Sequence, residues 1–147
     1  MSRTMNETLV AFAEKYKGNF QEIFRAIAYK ERLTDMEIDK LNDNVDEQYV
    51  TVVSAEYPEA LKGMDCPPIV MFYEGKLDLL DKEVYEFASP LDKSKRVFFN
   101  IDITHDGLDY LVGCENREDL EALVDFFIDQ HPELNFKNYR EDHTLYA

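Results

Sequence analysis

Arg96-Val97-Phe98-Phe99-Asn100-Ile101-Asp102-Ile103, then Thr104-His105-Asp106-Gly107, then Leu108-Asp109-Tyr110-Leu111-Val112-Gly113-Cys114 is the stretch on which the fold turns. Both flanks are rich in β-branched and aromatic residues, which suit a pleated, packed surface. Asp-Gly between two such runs is a hairpin signal, because its backbone twist matches that of paired strands. An antiparallel hairpin is therefore expected here.

Working outward, Asn116 opens Asn-x-x-Asp with Asp119 at a helix start. Leu120, Leu123, Val124, Phe127 and Ile128 then make one apolar stripe. Glu118, Glu121, Asp125 and Asp129 line an acidic face of the same helix. His131-Pro132 ends it, and the imidazole suits the negative end of the helix dipole. Leu134, Phe136, Tyr139, Leu145 and Tyr146 suggest that the tail is docked.

Upstream, Tyr49-Val50-Thr51-Val52-Val53 and Ile69-Val70-Met71-Phe72-Tyr73 read as strands, the second buried. Val84, Tyr85 and Phe87 continue the strand pattern. Tyr57-Pro58-Glu59-Ala60-Leu61 reads as a helical turn with proline near its start. Cys66-Pro67-Pro68 holds the chain extended. Glu74-Gly75 turns it, and Leu77, Leu79 and Leu80 follow.

The first third reads as three short helices over residues 5–42. Leu9, Phe12, Ala13 and Tyr16 form one stripe, and Gly18 closes that helix. Asn19-x-x-Glu22 begins the next, with Phe20, Ile23, Phe24, Ile27 and Ala28 as its apolar side. Thr34-Asp35-Met36-Glu37 is a capping box ahead of Ile38 and Leu41.

The expected class is α+β. A three-helix N-terminal bundle packs with a small mixed sheet of about four to six strands, and the acidic amphipathic helix covers one face. The alternative is an incomplete Rossmann-like α/β arrangement. The 147 residues suit one domain. It divides into a helical subregion (1–48), a middle segment (49–82) and an acidic hairpin-and-helix subregion (83–147).

Thirty-one Asp and Glu stand against sixteen Lys and Arg, a net charge of −15. Ten Phe and nine Tyr exclude a solvated, disordered chain. The acidity disfavours binding of nucleic acid by the surface as a whole. Residues 1–48 and 49–82 each carry −3, and residues 83–147 carry −9. No run approaches the ~18 apolar residues of a membrane span, and the N-terminus lacks a signal-peptide core. Cys66 and Cys114 form no C-x-x-C pair, so two reduced thiols in a cytoplasmic protein are expected.

The middle segment resembles a known family. Tyr57-Pro58-Glu59-Ala60-Leu61, Pro67-Pro68, the apolar run 69–73, and Gly75 with Leu77 behind it are similar to the stretch before the Rossmann domain in the DNA-processing protein A (DprA/Smf) family. The motif residues are Tyr57, Pro58, Leu61, Pro67, Pro68 and Gly75. The match covers about residues 49–82, and the N-terminal helices are similar in kind to that family's helical region. The resemblance implies single-stranded-DNA handling and delivery to a recombinase. The family's phosphate-contacting Gly-Ser-Arg is missing, however. Val84-Tyr85-Glu86-Phe87-Ala88-Ser89-Pro90 stands at its place, and Val112-Gly113-Cys114-Glu115-Asn116-Arg117 is only a faint echo of the later motif. The implied relative is shortened or divergent.

Chemistry is sparse. Asp102-x-x-His105-Asp106 has metal donors, but they sit at a hairpin turn and no second ligand pair follows. There is no P-loop, no G-x-G-x-x-G and no G-x-S-x-G. No enzyme, cofactor or metal is expected. An enzyme using His105 with Asp102 or Asp106 is the least favoured of three functions. The favoured one is a non-enzymatic DprA/Smf-like interaction module. Its acidic face, Glu118, Glu121, Asp125 and Asp129, would bind a protein partner, with basic DNA-binding or recombination proteins as candidates. The alternative is a single-stranded-DNA accessory in recombination or DNA uptake, contacting DNA through Lys93, Lys95, Arg96 and Arg117.

Overall fold

The computed structural model describes residues 4–81, 84–104 and 107–130. Helices α1 (Met5–Lys15), α2 (Phe20–Ala28) and α3 (Asp35–Asn42) come first. Strand β1 (Gln48–Thr51), the short helix α4 (Glu59–Lys62) and strand β2 (Val70–Gly75) follow. A 3-10 turn over Leu77–Asp81 leads toward β3 (Tyr85–Ala88), β4 (Arg96–Thr104) and β5 (Gly107–Cys114). A second 3-10 turn, Arg117–Asp119, feeds α5 (Leu120–Gln130).

The five strands make one sheet in the order β1-β2-β5-β4-β3. All four pairings are antiparallel. The class is α+β, as the hairpin and helix patterns indicate. The sheet is not mixed, though, and an incomplete Rossmann arrangement is ruled out for the described residues. That arrangement needs parallel neighbours joined by crossover helices. Here β4 and β5 pair directly from Val97↔Cys114 to Thr104↔Gly107.

Both faces of the central strands are buried, which explains why β2 reads as continuously apolar rather than alternating, whereas the edge strand β3 is exposed along its length. On one face Val70, Phe72, Val97, Phe99, Val112 and Cys114 meet α1, α2 and α5. On the other, Met71, Phe98 and Leu111 meet Tyr57 just before α4, Leu61 within it, and Leu79 and Leu80 from the first 3-10 turn. The N-terminal helices thus share a core with the sheet.

Local signals set the helix ends. Thr34 and Glu37 form a reciprocal capping box, and the Asn19 side chain accepts the Glu22 N–H. After α1 the chain reverses through Lys17 and Gly18, both at positive φ. A Cβ on Gly18 would lie 2.4 Å from the Glu115 carbonyl carbon, so only glycine lets this turn approach the end of β5.

Two apolar readings shift. On α2 the buried residues are Ile23 and Ala26, while Phe24 and Ile27 face outward. Strand β1 ends at Thr51, leaving Val52 and Val53 exposed. The hairpin turn at His105 and Asp106, the His131-Pro132 stop and the tail lie outside the described residues, as does the Ile128 side chain.

Candidate functional site

The family-like residues come together as a structural joint. Pro58 caps α4 with extended backbone, as expected of a proline at a helix entry. Leu61 is fully buried. The Tyr57 hydroxyl, buried with its ring, donates to the Pro68 carbonyl at 2.7 Å. This bond ties the Tyr-Pro turn to the Pro-Pro entry of β2, with Pro67 half-buried beside it. Burial pushes the Tyr57 hydroxyl well above its usual range, so it stays a neutral donor. Gly75, at φ 109°, ends β2 where a Cβ would sit 2.0 Å from the Tyr110 carbonyl oxygen. Every one of these residues has a packing or backbone role.

The cations considered for DNA have a different fate. Arg96 makes a two-pronged contact with Glu115: Nε donates to Oε1 at 2.8 Å and Nη2 to Oε2 at 2.9 Å. Its Nη1 donates to the Cys66 carbonyl at 2.6 Å, and the guanidinium lies 5.4 Å from the ring centres of both Phe20 and Phe98. Burial works against the Arg96 charge, yet Glu115 more than offsets it and holds the group above its usual pKa. The same burial pushes Glu115 up, and Arg96 draws it back only in part. Lys95 meets Asp119 at 3.3 Å. Arg117 meets Glu14 at 2.7 Å and Glu47 at 3.5 Å. Lys93 is exposed, with no carboxylate partner among the described residues.

These pairs border a cavity of about 430 Å³ between the α1–α2 turn and the ends of β4 and β5. Gly18, Phe20, Arg96, Cys114 and Asn116 are in its wall. The Cys114 thiol donates to the Asn116 carbonyl at 3.2 Å, and burial pushes its pKa up to about 12. Such a thiol is a poor nucleophile at neutral pH. The charged groups of the wall are paired with each other, Lys95 with Asp119 and Arg96 with Glu115.

Of the acidic residues, Glu121, Asp125 and Asp129 are exposed on α5, and Glu118 is exposed in the 3-10 turn before it rather than on the helix, while Leu120, Leu123, Val124 and Phe127 are buried. Glu118 reaches Lys17 at 3.5 Å, so the foot of this face is tied to the α1–α2 turn. Asp102 pairs across the hairpin with Asp109, but His105 and Asp106 lie outside the described residues. No three His, Cys, Asp or Glu side chains gather at metal-binding distance among the described residues.

A surface that the sequence pattern hid lies on α2. Phe24 and Ile27 are 59% and 41% exposed, and Tyr29 beyond the helix end is 81% exposed. Arg25, Lys30 and Arg32 stand next to them along the chain, all exposed and with no carboxylate partner among the described residues. A count of charge over 15–32, five basic against two acidic residues, would have marked this stretch in an acidic chain.

Comparison with protein-family models, with curated proteins and with solved structures returned no match to the chain. Among the described residues no helix is long and apolar enough to cross a membrane.

Proposed function

We propose that the chain is a non-enzymatic interaction module, DprA/Smf-like in its middle segment, whose acidic α5 surface binds a basic protein partner. A DNA-binding or recombination protein is the class that charge favours, and the reading goes with a cytoplasmic location. One observation carries it. In the region after residue 82, Lys95, Arg96 and Arg117 are held by carboxylates of the chain itself, whereas Glu121 and Asp129 face outward. What the described α5 face offers a partner is therefore negative charge, which steers and orients a basic protein. Direct single-stranded-DNA binding is weakened by the same fact, because of Lys93, Lys95, Arg96 and Arg117 only Lys93 is exposed with no carboxylate partner among the described residues.

The test is a low-salt pull-down from host lysate, comparing the wild type with a Glu121→Lys/Asp129→Lys variant. A basic protein retained by the wild type and lost by the variant supports the reading. Equal retention by both, or no basic protein at all, overturns it.

A further inference from the structure

The exposed side of α2 pairs two features that rarely occur together by accident of packing. Phe24, Ile27 and Tyr29 present apolar surface to solvent, and Arg25, Lys30 and Arg32 flank it without partners among the described residues. Residues 15–32 carry +3 in a chain of −15. Exposed aromatics ringed by polar groups mark docking surfaces, and arginine beside aromatics is enriched at their centres.

The chain itself bears the complement. On α5, Glu121, Asp125 and Asp129 recur every four residues, a line about 12 Å long at 1.5 Å per residue. Phe126 is exposed beside them. One face is basic and aromatic, the other acidic and aromatic. The starts of the two helices lie close together: Lys17 contacts Glu118, and Asn19, Phe20, Asp119 and Leu123 border one cavity. In a two-fold pair each α2 would sit on the other's α5, so both contacts form at once.

We propose that the α2 face docks onto the α5 face of a second copy of this chain in a closed, salt-sensitive dimer. The inference rests on the reading of α5 as a docking face and adds regulation to it. A basic partner and the second copy compete for the same carboxylates.

Sedimentation tests it at about 50 mM salt and protein up to about 200 µM, where exposed charge pairs are least screened. The wild type should approach dimer mass and return to monomer near 1 M salt, at a screening length of about 3 Å. Arg25→Glu/Lys30→Glu and Glu121→Lys/Asp129→Lys should each be monomeric, and mixing the two should restore a dimer. A wild type that stays monomeric throughout overturns the proposal, as does growth past dimer mass. A lysine-rich peptide separates the two readings. If it binds a monomeric wild type and not Glu121→Lys/Asp129→Lys, the α5 reading survives without the dimer; no binding and no dimer sinks both. A monomer that binds an oligothymidylate, and loses it on Arg25→Glu/Lys30→Glu, would assign the α2 face to nucleic acid and also overturn the proposal.

Discussion

Lys93, Lys95 and Arg96 crowd together in sequence, whereas Arg25, Lys30 and Arg32 are spread over eight residues. In the folded chain the availability of Lys95 and Arg96 is the reverse, and only Lys93 of that cluster is exposed with no carboxylate partner among the described residues. Arg96 sits between two aromatic rings and is gripped by Glu115, and Lys95 is held by Asp119. The α2 group stands open. The difference teaches that density of charge along a chain says little about charge offered to a partner. What decides is whether a carboxylate from another element is delivered to the same place. Arg96 meets one nineteen positions away across β5, and Arg117 one 103 positions away on α1.

The largest effect is expected on the closed side. Arg96→Ala leaves Glu115 buried beside a cavity with no counter-charge. Removing one partner of a buried pair typically costs about 3–5 kcal/mol. A urea titration should show that loss as a lower midpoint. The pH dependence has a definite sign. Glu115 already has a folded-state pKa raised above its unfolded value by burial, and losing Arg96 raises it further. The cost is the cost of burying the charged form, so it is full where the carboxyl is ionised and shrinks as protonation removes the charge. The gap between variant and wild type should therefore narrow as the pH is lowered from neutrality. A gap that widens on acidification would show that the carboxylate is not what the arginine serves.

A smaller loss is expected at the joint that the sequence pattern did point to. Tyr57→Phe removes the donor to the buried Pro68 carbonyl and should cost about 1–3 kcal/mol, the penalty of an unsatisfied buried acceptor. No partner binding should change, because the hydroxyl is turned inward. If Tyr57→Phe abolished the interaction with a basic partner while leaving the urea midpoint untouched, the motif would be a contact site and not a joint.

The two thiols repeat the contrast on the same scale of access. Cys66 is exposed and Cys114 is buried, with its pKa pushed up to about 12. A thiol reagent at neutral pH should modify one equivalent in the native protein and the second only in denaturant. Two fast equivalents would mean that the cavity beside β5 opens readily.

Much of this arrangement is written in local pattern, and the remainder is not local. Thr34 with Glu37, the apolar run through Phe72, and the flanks of the Asp-Gly turn each act through neighbours a few residues away, so they are legible. The acidic line on α5 follows from spacing alone. Phe24 misleads for the opposite reason. It falls beside Ile23 on a short helix, and which of the two faces inward depends on how α2 docks into the core shared with the sheet and α5. The partners of Arg96 and Arg117 depend on strand order β1-β2-β5-β4-β3, which no window of sequence encodes.

The smallest effect tests the open side. Arg25→Ala/Lys30→Ala removes two exposed cations that touch no carboxylate among the described residues. Surface substitutions of this kind usually stay within about 0.5 kcal/mol. The urea midpoint should therefore hold, in contrast to Arg96→Ala with one cation removed from the same acidic chain. Net charge becomes more negative in both cases, so a general charge effect would move the two variants alike. Only the packing around Arg96 predicts that they separate. A loss for Arg25→Ala/Lys30→Ala approaching that of Arg96→Ala would mean that the α2 cations hold the fold together, and the distinction between closed and open charge would collapse.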